Sequence, residues 1–239
     1  MRHPFFIALD FDSRKKRRLF LESFTGEKID IKVGMELFYR EGLSVIEELK
    51  TAGHGIFLDL KLHDIPNTVK RTMRALAELE VDIINVHAAG GQAMLEAAVE
   101  GLSAGTRPGI ARPHAIAVTQ LTSTSQTVLE EELLIKRPLE EVVVDYASLA
   151  KRSGLDGVVC AAGEVPVIHK ACGPDFLTVT PGIRRKEDDT GDQHRVVTPG
   201  RARELGSWGI VVGRSVTNAD DPFGVYKEMN DEWEGVLSR

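Results

Sequence analysis

Asp59, Lys61 and Asp64 stand in a run, Asp-Leu-Lys-Leu-His-Asp, that alternates charge with leucine at its start. Side chains in a strand alternate between faces, so Phe57, Asp59 and Lys61 share one face while Leu58, Leu60 and Leu62 share the other. The leucines are set to pack under helices and the charges to point inward. The same alternation puts Asp10 inward at the end of a strand over 5–11, Lys32 inward on one over 30–35, and Arg214 inward at the end of one over 209–214. Each such charge, alone, reads equally well as a solvated strand end or a structural ion pair. Gathered in one cavity, with Asp64 as a further candidate, they survive burial only if the signs alternate, because an unpaired buried charge costs several kcal/mol. Alternating Asp and Lys keeps the ammoniums protonated and the carboxylates ionised. That arrangement holds a proton donor beside a carboxylate that repels an anionic substrate.

A second cluster comprises Thr180-Pro181-Gly182-Ile183-Arg184 and Val212-Gly213-Arg214-Ser215. Glycine permits close backbone approach, a following helix offers free amides, and arginine holds a phosphate through two parallel bonds. This cluster points to a phosphorylated ligand without specifying which.

The elements that must position these groups recur along the chain. Strand-like runs fall at 5–11, 30–35, 55–62, 83–87, 114–121, 157–161, 176–181 and 209–214, with starts on average about 29 residues apart, the length of a strand plus a crossover helix. Eight such units predict an α/β chain folded as a single (β/α)8 TIM barrel over 1–239, with the charged strand ends converging on the carboxyl-terminal mouth. Between strands, Val69, Met73 and Leu76 keep helical spacing toward the core and Glu80 continues it toward solvent, while Leu95, Ala98 and Leu102 mark another helix. Pro66 suits a first helical turn, Gly53 closes a helix over 36–52, and Pro138 opens one over 138–152. A Ser/Thr-rich stretch, 122–127, precedes an extra short helix. The polar stretch 182–199 is too long for an ordinary connection and reads as a lid.

Composition narrows the function. With 239 residues, 42% hydrophobic and 28% charged, a sizeable core is available. A net charge of −6 argues against nucleic acid as a partner. The longest apolar runs, such as Phe5 to Leu9, are about five residues against the roughly 20 of a membrane helix, and are too short for a signal-peptide core. A cytoplasmic chain with no membrane partner is expected. Cys160 and Cys172 read as inert buried thiols. His87 has no matching metal-ligand spacing and reads as a hydrogen-bonded histidine beside the site; His63 reads as positional, His194 lies in the lid, and Trp208 and Trp233 read as packing residues.

The run Asp59-Leu60-Lys61-Leu62-His63-Asp64-Ile65-Pro66-Asn67-Thr68 resembles the orotidine 5′-phosphate decarboxylases, in their short bacterial form. Ala8-Leu9-Asp10, Lys32-Val33-Gly34, Asn85-Val86-His87, Thr119-Gln120-Leu121-Thr122-Ser123, Thr180 to Arg184, Gly191-Asp192-Gln193 and Val211 to Ser215 follow the same resemblance in order. It implies that Asp10 and Lys32 bind ribose hydroxyls and that Thr122 contacts the pyrimidine. Gln193 and Arg214 hold the phosphate, with Pro181, Arg184 and the Gly213 backbone beside them. Asp64 and its neighbours Ile65, Pro66, Asn67 and Thr68 are supplied by the partner subunit of a homodimer. Orotidine 5′-monophosphate is the implied substrate and uridine 5′-monophosphate the product, formed in de novo pyrimidine biosynthesis. Lys61 stabilises and then protonates the ring carbanion beside Asp59, and no metal or organic cofactor is needed. The rival within the same structural group is a magnesium-dependent sugar-phosphate decarboxylase such as 3-keto-L-gulonate 6-phosphate decarboxylase. Lys32, on strand two, would repel its divalent ion. A non-catalytic phospho-ligand sensor on the same barrel is the rival of another class.

Overall fold

β-Branched and apolar runs pair in parallel, each with the next, until the last strand meets the first. The computed structural model describes residues 3–188 and 196–236. Its strands are β1 Phe5–Ala8, β2 Asp30–Gly34, β3 Gly55–Leu62, β4 Ile83–His87, β5 His114–Val118, β6 Gly157–Val159, β7 Leu177–Ile183 and β8 Gly209–Val212, closed as a barrel in chain order. The connecting helices are α1 Arg14–Glu22, α2 Met35–Glu41, α3 Leu43–Thr51, α4 Pro66–Ala77, α5 Gln92–Gly105, α6 Leu139–Arg152, α7 Val165–Cys172, α8 Pro199–Glu204, α9 Arg214–Thr217 and α10 Pro222–Glu234. The (β/α)8 TIM barrel read from the sequence is therefore the fold.

Alternation along the strands divides the core in two. Outward residues such as Ile7, Ile31, Leu58, Ile84 and Val212 pack against the helices, together with Val69, Met73 and Leu76 of α4 and Leu95, Ala98 and Leu102 of α5. Inward residues Phe6, Ala8, Phe57, Ile83, Ile116, Val179 and Val211 form a second apolar layer that closes the floor of the barrel. Trp233 is fully buried and donates its indole N–H to the His3 carbonyl at 3.0 Å, and Trp208 packs against the inner layer, so both tryptophans serve packing as read. No helix among the described residues is long and apolar enough to cross a membrane.

Several boundaries differ from the sequence reading for identifiable reasons. The helix expected over 36–52 is two helices, because Gly42 adopts φ 64°, ψ −149° between them, a left-handed backbone that ends α2 and starts α3 in a new direction. Glu80 lies beyond the end of α4 in a turn at φ 50°, half-buried against Lys50 and Arg107, rather than on the helix's solvent face. Strand β1 stops at Ala8 and β5 at Val118, which leaves Asp10 and residues 119–123 on loops. β8 stops at Val212 and Arg214 opens α9, since Gly213 at φ −111°, ψ −110° breaks the extended run. The extra short helix is a single wide turn, Val128–Glu132, with Leu133 N–H bonded to the Val128 carbonyl at 3.0 Å.

One ion cluster outside the barrel gave no sequence signal. Arg17 on α1, with its side chain fully buried, donates to Glu41 at 2.8 Å and to Glu48 at 3.0 Å, tying α1 to the ends of α2 and α3. Burial raises the Glu48 pKa, but the bonds from Arg17 and Arg18 outweigh it and hold the group at about 2, against an ordinary 4.5. A carboxylate depressed in this way stabilises the fold above its unfolded pKa and loses that contribution as pH falls through the folded one. Arg17→Met should therefore cost about 3 to 5 kcal/mol at pH 7, and its deficit against the wild type should shrink between pH 4.5 and about 2. Urea unfolding of both proteins across that range measures it; a deficit that stays constant with pH would refute the assignment.

Candidate active site

The inward charges of β1, β2 and β3 meet at the barrel mouth, above the apolar floor. Lys32 Nζ lies 3.3 Å from Asp10 Oδ1 and 3.3 Å from Asp59 Oδ2, and Lys61 Nζ lies 2.7 Å from Asp59 Oδ1. The four groups form one chain of alternating sign, Asp10-Lys32-Asp59-Lys61, as the sequence predicted. Room for it comes from Gly34, where a Cβ would sit 3.1 Å from Lys32 Nζ and 3.2 Å from Asp10 Oδ1. Burial pushes the Asp59 carboxyl up, yet the Lys32 and Lys61 ammoniums, with hydrogen bonds from Lys61 and Asn85, hold it below the usual carboxylate range. Asp59 is thus ionised at neutral pH despite being buried.

The cavity above this network has a volume of about 490 Å³, within the range of small-molecule sites. Asp10, Lys32, Asp59 and Lys61 line one side, and Pro181, Gly182, Arg184, Gly213 and Arg214 line another. In a closed ring of eight strands, β3 and β7 lie opposite one another, so the basic cluster faces Lys61 across the mouth. Thr122 lines the wall between them, on the loop after β5. The stretch read as a lid is anchored at its start and return: Val197 N–H donates to the Gly182 carbonyl at 3.2 Å, and Arg184 N–H to the Val197 carbonyl at 3.0 Å. Gln193 lies outside the described residues, as does His194.

Asp64 does not line this cavity. It is exposed, its Oδ1 accepting from the Ile65 N–H at 2.6 Å, and with His63, Ile65 and Pro66 it borders a separate shallow pocket. Asn67 and Thr68 follow in the first turn of α4 and do not line the cavity either. Hence the site built by one chain holds Lys61 without Asp64. His87 ends β4, stacks on His63 with ring centres 5.5 Å apart, and accepts from the Ala89 N–H at 3.2 Å, which fits a hydrogen-bonded histidine beside the site. Burial, with His63 and Lys61 nearby, pushes its pKa down.

Several lining residues went unassigned in the sequence reading. Gln120, Ser123 and Cys160 border the cavity. Cys160 is buried, as expected of an inert thiol, but at the site itself; an apolar strand residue gives no hint of which wall it completes. Asn85 lies beneath the network, fully buried, and was legible only as part of a matching segment.

Residues 3–229 match a family described as "Orotidine 5'-phosphate decarboxylase / HUMPS family". The chain belongs to this family. Among relatives named orotidine 5'-phosphate decarboxylase, one from Shouchella clausii (strain KSM-K16) is 69% identical over 99% of both chains, and one from Geobacillus sp. (strain WCH70) is 60% identical over 98% of both. The crystal structure of orotidine 5'-phosphate decarboxylase from Lactobacillus acidophilus superposes with a TM-score of 0.87 at 44% identity, covering 97% of this chain and 99% of that one. An uncharacterized conserved protein from Geobacillus kaustophilus gives the same TM-score at 53% identity, covering 96% and 100%. The likeness extends over nearly the whole chain and therefore includes every strand that carries a site residue. As a member of this decarboxylase family the chain is an enzyme, a carboxy-lyase.

Proposed function

We propose that the chain decarboxylates orotidine 5′-monophosphate to uridine 5′-monophosphate in de novo pyrimidine biosynthesis, as a cytoplasmic homodimer whose protomers are each one catalytic domain over 1–239. The observation that carries this reading is the Lys61 ammonium held 2.7 Å from an ionised, buried Asp59, across the mouth from Arg184 and Arg214. A phosphate on the arginine side leaves the ring over Lys61. Gln193 and Arg214 hold that phosphate, with Pro181, Arg184 and the Gly213 backbone beside it. Asp10 and Lys32 take the ribose hydroxyls and Thr122 contacts the pyrimidine.

Loss of carbon dioxide from ring carbon six leaves a carbanion with no adjacent carbonyl to delocalise it. A fixed ammonium at that carbon stabilises the developing charge without reorganising, and the same group then delivers the proton. Asp59 crowds the departing carboxylate, a contested source of rate that takes second place. Phosphate contacts remote from the reacting carbon supply binding energy that the chemical step can draw on.

Lys32 already neutralises both Asp10 and Asp59, the carboxylates that a divalent ion would otherwise use. Turnover of orotidine monophosphate, followed by its absorbance change, should therefore persist in full after exhaustive chelation. Absence of turnover would overturn the proposed substrate. Activity that disappears with chelator and returns with magnesium would instead favour the sugar-phosphate reading.

A further inference from the structure

We propose that Asn85 is a positioning residue for the reaction: its side-chain amide holds the Asp59 carboxylate and the Lys61 backbone in one arrangement, and so fixes where the Lys61 ammonium is presented. The inference rests on the decarboxylase reading above for its kinetic arm, and on the geometry alone for the rest. The β3–β4 pairing runs Phe57↔Ile83 and Leu58↔Ile84, then resumes only at Leu62↔Val86. Two extra residues of β3 are thereby pushed out of the ladder at the point where Asp59 and Lys61 sit. Lys61 takes φ 51°, a left-handed backbone unusual for a residue with a side chain. Its N–H has left the strand pairing and needs another acceptor.

Asn85 supplies it. The residue is fully buried on β4, its Oδ1 accepts the Lys61 N–H at 2.7 Å, and its Nδ2 donates to Asp59 Oδ1 at 2.6 Å. A primary amide makes both bonds at once through separate atoms, the oxygen as acceptor and the nitrogen as donor. Asp59 Oδ1 then receives Asn85 and the Lys61 ammonium together while Oδ2 faces Lys32, so the carboxylate cannot rotate without breaking a bond on each side. One side chain thus spans the bulge and sets both members of the reacting pair. A merely structural asparagine would tie β3 to β4 with no special consequence for the chemical step.

Three measurements separate these roles. In the wild type, hydrogen exchange at the Lys61 amide should be slow although no backbone carbonyl receives it; exchange at the rate of an open loop would overturn the proposal without any variant. Asn85→Ala should speed that exchange at least about tenfold, whereas Asn85→Asp, which keeps the acceptor but loses the donor and sets a second carboxylate against Asp59, should leave it near the wild-type rate. Both variants should lose at least about a hundredfold in kcat, the scale of a misplacement near 1 Å, while uridine monophosphate binds within about fivefold of the wild type because its phosphate contacts lie across the mouth. Retained kcat in both folded variants, or a loss of kcat matched by an equal loss of nucleotide binding, would overturn the positioning role. Wild-type turnover assayed alongside keeps the two readings apart: without it the substrate assignment fails, and amide exchange alone decides on Asn85.

Discussion

Lys61→Ala abolishes turnover of orotidine monophosphate while uridine monophosphate still binds: this is the largest effect the site predicts. The lysine is assigned two tasks, stabilising the carbanion and protonating it. A single preorganised donor contributes about 10²- to 10³-fold and a positioned proton donor about 10²- to 10⁴-fold, so losing both should lower kcat by at least about 10⁴-fold. Binding survives because Asp59 keeps Lys32 at 3.3 Å and Asn85 at 2.6 Å, and because the phosphate contacts are assigned to residues around β7 and β8. Single-turnover kinetics with titration of uridine monophosphate measures both. Turnover within an order of magnitude of the wild type would refute the role given to Lys61.

Recovery of activity from two dead proteins is the second large effect. The cavity of one chain contains Lys61 but not Asp64, which stands exposed at the start of the α4 turn beside Ile65, itself 67% exposed. If a symmetric partner brings its Asp64 to this cavity, Lys61→Ala and Asp64→Ala homodimers are each nearly inactive. In a mixed dimer, one site carries both lesions and the other carries neither. Random reassociation of equal amounts makes about half the dimers mixed, so about a quarter of all sites recover by two-fold symmetry. The measurement is activity after the two variants are unfolded and refolded together. A mixture as inactive as its parents, despite demonstrated subunit exchange, would mean that Asp64 serves its own chain or does not act.

Period and charge are legible in the sequence, whereas local departures from them are hidden. Alternation placed Asp59 and Lys61 inward and Leu58 and Leu60 outward, and the recurrence of strands predicted the closed ring. Gly42 falls inside the span read as one helix over 36–52, and composition does not reveal a turn until the chain's direction is known. Arg17 sits in a basic run on an exposed helix, and its partners Glu41 and Glu48 lie on the next βα unit, so the clamp has no local signature. Asn85 was hidden for a related reason: an asparagine in a strand acquires its partners only through the bulge opposite it, and a bulge is invisible to a two-residue period. The resemblance contributed the roles of Gln193, Thr122 and Asp64, which no periodicity suggests.

The left-handed backbone at Lys61 also bears on how this enzyme can be changed. A non-glycine residue in that conformation costs roughly 1 to 2 kcal/mol, and here it coincides with the residue assigned to the chemistry. Glycine would relieve that strain, but it would also remove the group assigned as proton donor and one of the two ammoniums, Lys32 and Lys61, that hold the buried Asp59 carboxylate. Relief of backbone strain and loss of a buried ion pair therefore oppose one another at this position, and stability is not gained simply by removing the side chain. Stabilising changes that keep turnover must be sought elsewhere, in helices and loops that do not touch the β3 bulge.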